Sequence, residues 1–228
     1  MSKRRIRTRI RAGGAGAGLD RPLRRSRTKL GILALTIATL VGGTVVPAEA
    51  SADRSTNSVF SLDDLSEVGT SKLVRTDNGV SASLTTTGLT PGHVVTMWWV
   101  VFNNPSACTH PIPGISMCSE PDVFNTDPAG PQGSALHAAG RIVDENGSTE
   151  YGAHLKVGDT SHALRGPGLL DPRGAEVILV LRNHGPKIPD LLPEMLTTFG
   201  GGCTNAPPST GTPGPNDCME VHFSPHTP

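Results

Sequence analysis

Pro and Gly punctuate this chain so densely that most of it has room only for short regular elements. Together they make up about a fifth of residues 51–228. Pro removes a backbone donor and Gly carries excess chain entropy, so both interrupt helices and central strands. Between them stand short runs rich in Val, Thr and Ile, and no long stretch shows the 3.6-residue apolar period of an amphipathic helix. The pattern predicts an all-β chain, an antiparallel β-sandwich with at most one short helix.

The clearest strands fix details of that expectation. Lys72–Thr76 and Val80–Thr87 flank Asp77-Asn78-Gly79, whose Asn-Gly supplies the positive φ angles of a tight hairpin. Val80, Ala82 and Leu84 alternate with Ser81, Ser83 and Thr85, which gives one buried and one wet face. "GLTPG" (88–92) then turns into a long strand from Val94 to Phe102. That phrase ahead of a strand resembles a corner of immunoglobulin-like and fibronectin-type sandwiches. Met219–Phe223 is the last strand expected.

Both tryptophans of the chain, Trp98 and Trp99, sit side by side in the long strand. Successive strand side chains point to opposite faces, so the two cannot enter the same layer. One is expected to plug the core. The other lies under a loop or faces solvent, with Asn103–Gln132 as the natural cover. An uncovered indole would offer a platform for a sugar or another flat ligand.

Gly133–Val157 reads as a hairpin whose loop is Asp144–Gly147. Asn146-Gly147-Ser148 also matches a glycosylation sequon, but a hairpin turn accounts for its Asn-Gly. In this register His137 faces His154, and Arg141 faces Glu150, on the polar side. Val177–Leu181 is almost continuously apolar, as in a central strand covered on both faces. Leu191–Phe199 fits a short helix capped by Asp190, or a strand beginning at Met195.

The N-terminus reads as an address. Met1–Lys29 holds eleven Lys/Arg and one acid, Asp20. An uncharged apolar run follows from Leu30 to Val46, and Ala48 and Ala50 sit as in a small-residue cleavage site. These parts form a secretory signal peptide over residues 1–50, cut after Ala50. An uncleaved anchor is the alternative, since the run is close to spanning length. "RRSRTK" (24–29) partly resembles a twin-arginine signal without its usual aromatic. Residues 51–70 are expected as a flexible lead, and 71–228 as a single sandwich domain.

Removing the leader makes the protein acidic. The first fifty residues carry 11 basic and 2 acidic side chains, leaving 9 basic and 18 acidic, so the remainder is about −9. Such a product is repelled by phosphate backbones, which argues against nucleic acid as a partner. It also keeps no stable membrane anchor once the leader is cut. A cell-surface or carbohydrate ligand fits its destination better.

All four cysteines lie in the exported part, and an even count in an oxidising compartment reads as two disulfides. Three connectivities exist. Cys108–Cys118 and Cys203–Cys218 are favoured because each pair brackets one Pro/Gly-rich loop. No pair has the spacing of a zinc knuckle.

Candidate chemistry rests on scattered groups. No G-x-S-x-G, H-E-x-x-H, C-x-x-C or EF-hand signature is present. Eight histidines follow the leader. His137 and His154 facing each other would give two nitrogen ligands for copper or zinc, with His184 or His162 as a third. His184, just past the apolar strand, is also the one base on which a secreted hydrolase could be centred, given an acidic partner and a hydroxyl. Asp171 and Glu176 flank the turn before that strand as a possible carboxylate pair, although Asp171 in "DPRG" suits the first position of a β-turn.

"WWVVFNNP…C…C", "PRGAEVILVLRNHGP" and "TTFGGGC…C" together resemble a group of uncharacterised exported bacterial proteins, over roughly Thr90 to the C-terminus. The resemblance implies export and supplies no activity or catalytic residue. The expectation is therefore an exported, non-enzymatic β-sandwich acting as a binding module, with metal binding and hydrolysis as rivals.

Overall fold

The computed structural model describes residues 52–228, and the leader read over residues 1–50 lies outside the described residues. Nine strands form one continuous antiparallel sheet: β1 (Asp53–Ser61), β2 (Glu67–Thr76), β3 (Gly79–Thr86), β4 (His93–Phe102), β5 (Gly133–Ile142), β6 (Thr149–Lys156), β7 (Ala163–Arg165), β8 (Glu176–Pro186) and β9 (Met219–His226). Their spatial order is β6-β3-β2-β1-β9-β8-β4-β5-β7. The all-β expectation holds. Two one-turn α-helices and three 3-10 turns complete the described residues. α2 (Leu192–Met195) lies where the sequence predicts a helix or a strand, and α1 (Glu120–Val123) adds a second, just after Cys118 in the β4–β5 connection.

The sheet folds back on itself at β1 and β9. Those strands pair only through Phe60↔Phe223 and Ser61↔His222, whereas β1 and β2 pair along eight positions. Below the short ladder the strands splay, and β6-β3-β2-β1 faces β9-β8-β4-β5-β7 as the second layer of a sandwich. Leu73, Val80 and Leu84 from one layer meet Met97, Trp99, Leu179 and Leu181 from the other in a continuous core.

Side chains bridge the splayed strands where the backbone ladder stops. The Asn57 amide donates to the Pro225 carbonyl. Ser71 Oγ lies 2.6 Å from Ser224 Oγ and 2.8 Å from His226 Nε2, and Ser55 Oγ lies 2.7 Å from His226 Nδ1. Arg75, also buried, donates to the carbonyls of Pro172, Ala175 and His226 at 2.7–2.8 Å. Buried polar groups are tolerated only when paired, and these are.

Two expectations are corrected here. Residues 51–70 are not a flexible lead: β1 occupies Asp53–Ser61 and β2 begins at Glu67. β1 has little apolar patterning, but it supplies the hydrogen-bond partners of the polar seam. Gly133–Val157 is not a paired hairpin either. β5 pairs with β4 and β7, while β6 pairs with β3, so the connection crosses between layers. The cross-strand neighbour of His137 is Trp98, and that of His154 is Ser81. Partners set by ladders of eight or nine residues prevailed over the local pairing its short turn suggested.

The hairpin across Asp77-Asn78 forms, with Thr76 opposite Gly79, although of the Asn-Gly pair only Gly79 takes a positive φ, at 156°. Val80, Ala82 and Leu84 are buried and Ser81, Ser83 and Thr85 exposed. Leu179 lies fully buried in β8 at the centre of the core. Leu179→Ala should lower unfolding free energy by about 3 kcal/mol, within the range for leucine deletions that leave a cavity. Ser83→Ala on the wet face of β3 should change it by less than about 0.5 kcal/mol, and urea denaturation measures both.

Candidate functional site

Strands β4 and β8 are buried on both sides, so the outer face of their layer also needs a cover. Two loops, each closed by a disulfide, provide it. Cys108 is bonded to Cys118 and Cys203 to Cys218, the connectivity favoured from spacing, and among the described residues no cysteine is free. The first loop covers Phe102, Ile178 and Phe223, adding Val123 and Cys118 to form a second apolar cluster. Glu176 pins this loop: its Oε1 accepts the Ser116 hydroxyl at 2.9 Å and the Met117 N–H at 3.0 Å. Its other oxygen is sealed without a partner, and burial raises its pKa above the usual carboxylate value.

The second loop, with the segment leading into it from α2, covers the other half of that face and buries His184 completely. Nδ1–H donates to the Gly201 carbonyl at 3.0 Å, which leaves Nε2 to accept the Thr96 hydroxyl at 2.9 Å. The Thr96 oxygen in turn accepts the Trp98 indole N–H at 2.8 Å. Every polar atom of this relay is satisfied. Burial pushes the His184 pKa down to about 4, so the ring is neutral near pH 7. Arg182 beside it donates to the Phe199 carbonyl at 3.0 Å and to Glu220 at 2.7 Å, and its guanidinium lies 3.9 Å from the Phe199 ring centroid.

Glycine makes this cover possible. A Cβ on Gly140 would come within 2.1 Å of the Leu196 carbonyl, so only Gly lets the α2 segment approach β5 so closely. That same carbonyl accepts His137 Nε2–H at 2.9 Å.

The sequence-selected residues now have places. Trp99 enters the core and Trp98 takes the outer face, as strand alternation requires. Both are buried, at 1% and 5% exposure, so neither ring offers a sugar an open face. Trp98 is covered by Phe199, in the segment leading into the second loop, and not by Asn103–Gln132. Its indole also meets the edge of His137 at 5.4 Å.

The structure does not assemble the metal set His137, His154 and His184. His137 turns to Leu196 and Trp98, His154 bonds Ser81 on the opposite layer, and His184 is sealed under Gly201. Among the described residues, the only groups of three or more ligand atoms within 4.8 Å of each other include disulfide sulfurs. The hydrolase geometry is likewise incomplete: His184 has a hydroxyl neighbour but neither a carboxylate in hydrogen-bond contact nor a cleft. Asp171 caps its own turn, accepting the Arg173 N–H at 3.0 Å, while Glu176 anchors the first loop. Asn146 likewise holds its turn through Ser148.

Two clefts open elsewhere. One, of about 310 Å³, lies along the seam between β5 and β6, where the curled sheet fails to close. Trp99, Leu136 and Leu155 form its apolar floor, and His154, His162 and Asp159 are among its polar lining. His137 also borders it. The other, of about 340 Å³, lies at one end of the sandwich, between the β1–β2 and β3–β4 turns and β9. Pairing patterns read strand by strand could not place either cleft, because both arise where ladders stop.

No family model matches the chain. No curated protein matches it either. Its function is therefore argued from the geometry above.

The buried histidines make stability depend on pH. His184 and His226 both have folded-state pKa values lowered to about 4 from an ordinary 6.5, by burial first of all. Neutral rings favour the folded state above pH 6.5, and that stability is lost as pH falls towards 4. Each contributes roughly 3 kcal/mol at most, at about 1.4 kcal/mol per pKa unit. Glu176 acts in the opposite sense, since its raised pKa favours the folded state on protonation. Chemical denaturation from pH 7 to 4 should show a steep fall that flattens in His184→Gln.

Proposed function

We propose that this chain is an exported binding domain that takes a small organic ligand in the seam cleft between β5 and β6. The cleft carries the reading: His154, Asp159, Ser161 and His162 line it, and the buried side chains of Trp99, Leu136 and Leu155 reach it only at its floor. That combination, at about 310 Å³, suits a small, mainly polar molecule with an apolar edge that rests on the floor. The rigid core beneath the floor supports recognition without reorganisation, because Trp99 and Leu136 belong to the central cluster.

Export is supported from two sides. The basic, apolar and small-residue segments of residues 1–50 read as a leader, and two disulfides suit an oxidising compartment. Among the described residues no helix is long and apolar enough to cross a membrane. Binding is preferred over catalysis because His184, the histidine on which a hydrolase would centre, is committed with Thr96 and Gly201 to holding a loop.

Export has a direct test. Secreted protein should begin at Ser51, and its mass should rise by one hydrogen per cysteine on reduction. A full-length product or free thiols would count against it. For binding, a fragment screen read by NMR should give hits whose shifts cluster on the Trp99 indole and the Leu136 and Leu155 methyls. Ser161→Trp, which crowds the mouth of the cleft from an exposed loop, should weaken those hits at least tenfold. Hits that map elsewhere, or that ignore this substitution, defeat the reading.

A further inference from the structure

The second cleft holds a different chemistry, centred on His222. This residue points inward from β9 and is only 5% exposed, yet it lines the cleft at the end of the sandwich. Its Nδ1 lies 3.0 Å from the Thr86 hydroxyl, and the same hydroxyl lies 3.2 Å from the Val68 carbonyl. A hydroxyl has one proton. If it went to the imidazole, the oxygens of Thr86 and Val68 would face each other without a hydrogen between them. Donation from Thr86 to Val68, with Nδ1–H donating to Thr86, satisfies both contacts. His222 Nε2 is then a lone-pair acceptor.

That acceptor has no hydrogen-bond partner among the described residues. The only sealed orphan atoms there are Arg165 Nε and Glu176 Oε2, so His222 Nε2 keeps access to the cleft. Burial lowers the pKa of this ring, which keeps it neutral and accepting. The cleft's lining also includes two carboxylates from the β1–β2 turn, Asp63 and Asp64. Asp64 spends Oδ1 on Ser66, while the Asp63 carboxylate receives no hydrogen bond from a described residue. The lining thus presents an acceptor at its floor and negative charge at its rim.

We propose that this end cleft binds an organic cation bearing N–H donors, an ammonium or guanidinium group, with one N–H donated to His222 Nε2 and its charge facing Asp63 and Asp64. A bare metal ion fits less well. His222 and the two carboxylates do not fall within 4.8 Å of one another, whereas an extended organic cation inside the cleft of about 340 Å³ meets each group separately. The net charge of about −9 on residues 51–228 adds long-range attraction for a cation.

Agmatine, which carries both cationic groups, is a suitable probe, with succinate as the anionic control. Long-range ¹H–¹⁵N spectra of the disulfide-intact protein should show His222 with an unprotonated Nε2, whose resonance moves on adding agmatine and not on adding succinate. Calorimetry should show Asp63→Asn, an exposed turn substitution, weakening agmatine at least fivefold, and salt weakening it further. Thr86→Val removes the hydroxyl and should shift the tautomer equilibrium while reducing affinity. If Nε2 carries the proton, if agmatine leaves its resonance unmoved, if succinate moves it equally, or if Asp63→Asn binds within twofold of the parent, the proposal is overturned. The seam cleft shares none of these residues, so failure here leaves the fragment-binding test standing.

Discussion

Strands β4 and β8 are apolar on both faces, and a layer with two apolar faces cannot be left with one of them in water. The inner faces, through Met97, Trp99, Leu179 and Leu181, build the sandwich core. The outer faces, through Phe102, Ile178, Trp98 and His184, demand a third layer. Among the described residues no long helix supplies it, so two irregular loops do so instead. An irregular loop buries backbone groups that must find partners, and it loses much conformational freedom on ordering. Each loop is therefore closed by a disulfide, worth about 3 kcal/mol by loop-closure arithmetic.

The polar residues of the outer face make sense in that setting. Glu176, Arg182 and His184 alternate with core residues along β8, and each holds a loop rather than a substrate. His184 lies where a rigid strand presents a loop, a common place for catalytic groups. Its hydrogen bonds are instead saturated by Gly201 and Thr96. Burial of a fully paired imidazole is stabilising only while it stays neutral, so a structural histidine carries a pH dependence that resembles a functional one.

Openings occur where the sheet's hydrogen bonding stops. β5 and β6 part company to join opposite layers, leaving the seam cleft against the core. β1 and β9 pair briefly at one end, and the turns around that short ladder enclose His222. The two clefts differ in character for that reason. The first is backed by the apolar core, while the second is floored by an inward polar residue of the seam-forming strand.

Strand type and the facing of β3 and β4 followed from alternation alone, because a period of two needs no knowledge of partners. Those are local properties, and residue order by itself determined them. Bracketed Pro/Gly-rich loops favoured one disulfide connectivity of three, and the fold selected it. The partners of β5 and β6, the role of β1 and the cover over Trp98 were decided only in three dimensions. Pairing between layers depends on which edges remain free once longer ladders have formed. The two clefts belong to this second class. His222 meets a hydroxyl 136 positions away in sequence, a contact that no spacing rule encodes and that exists only because β9 returns beside β1.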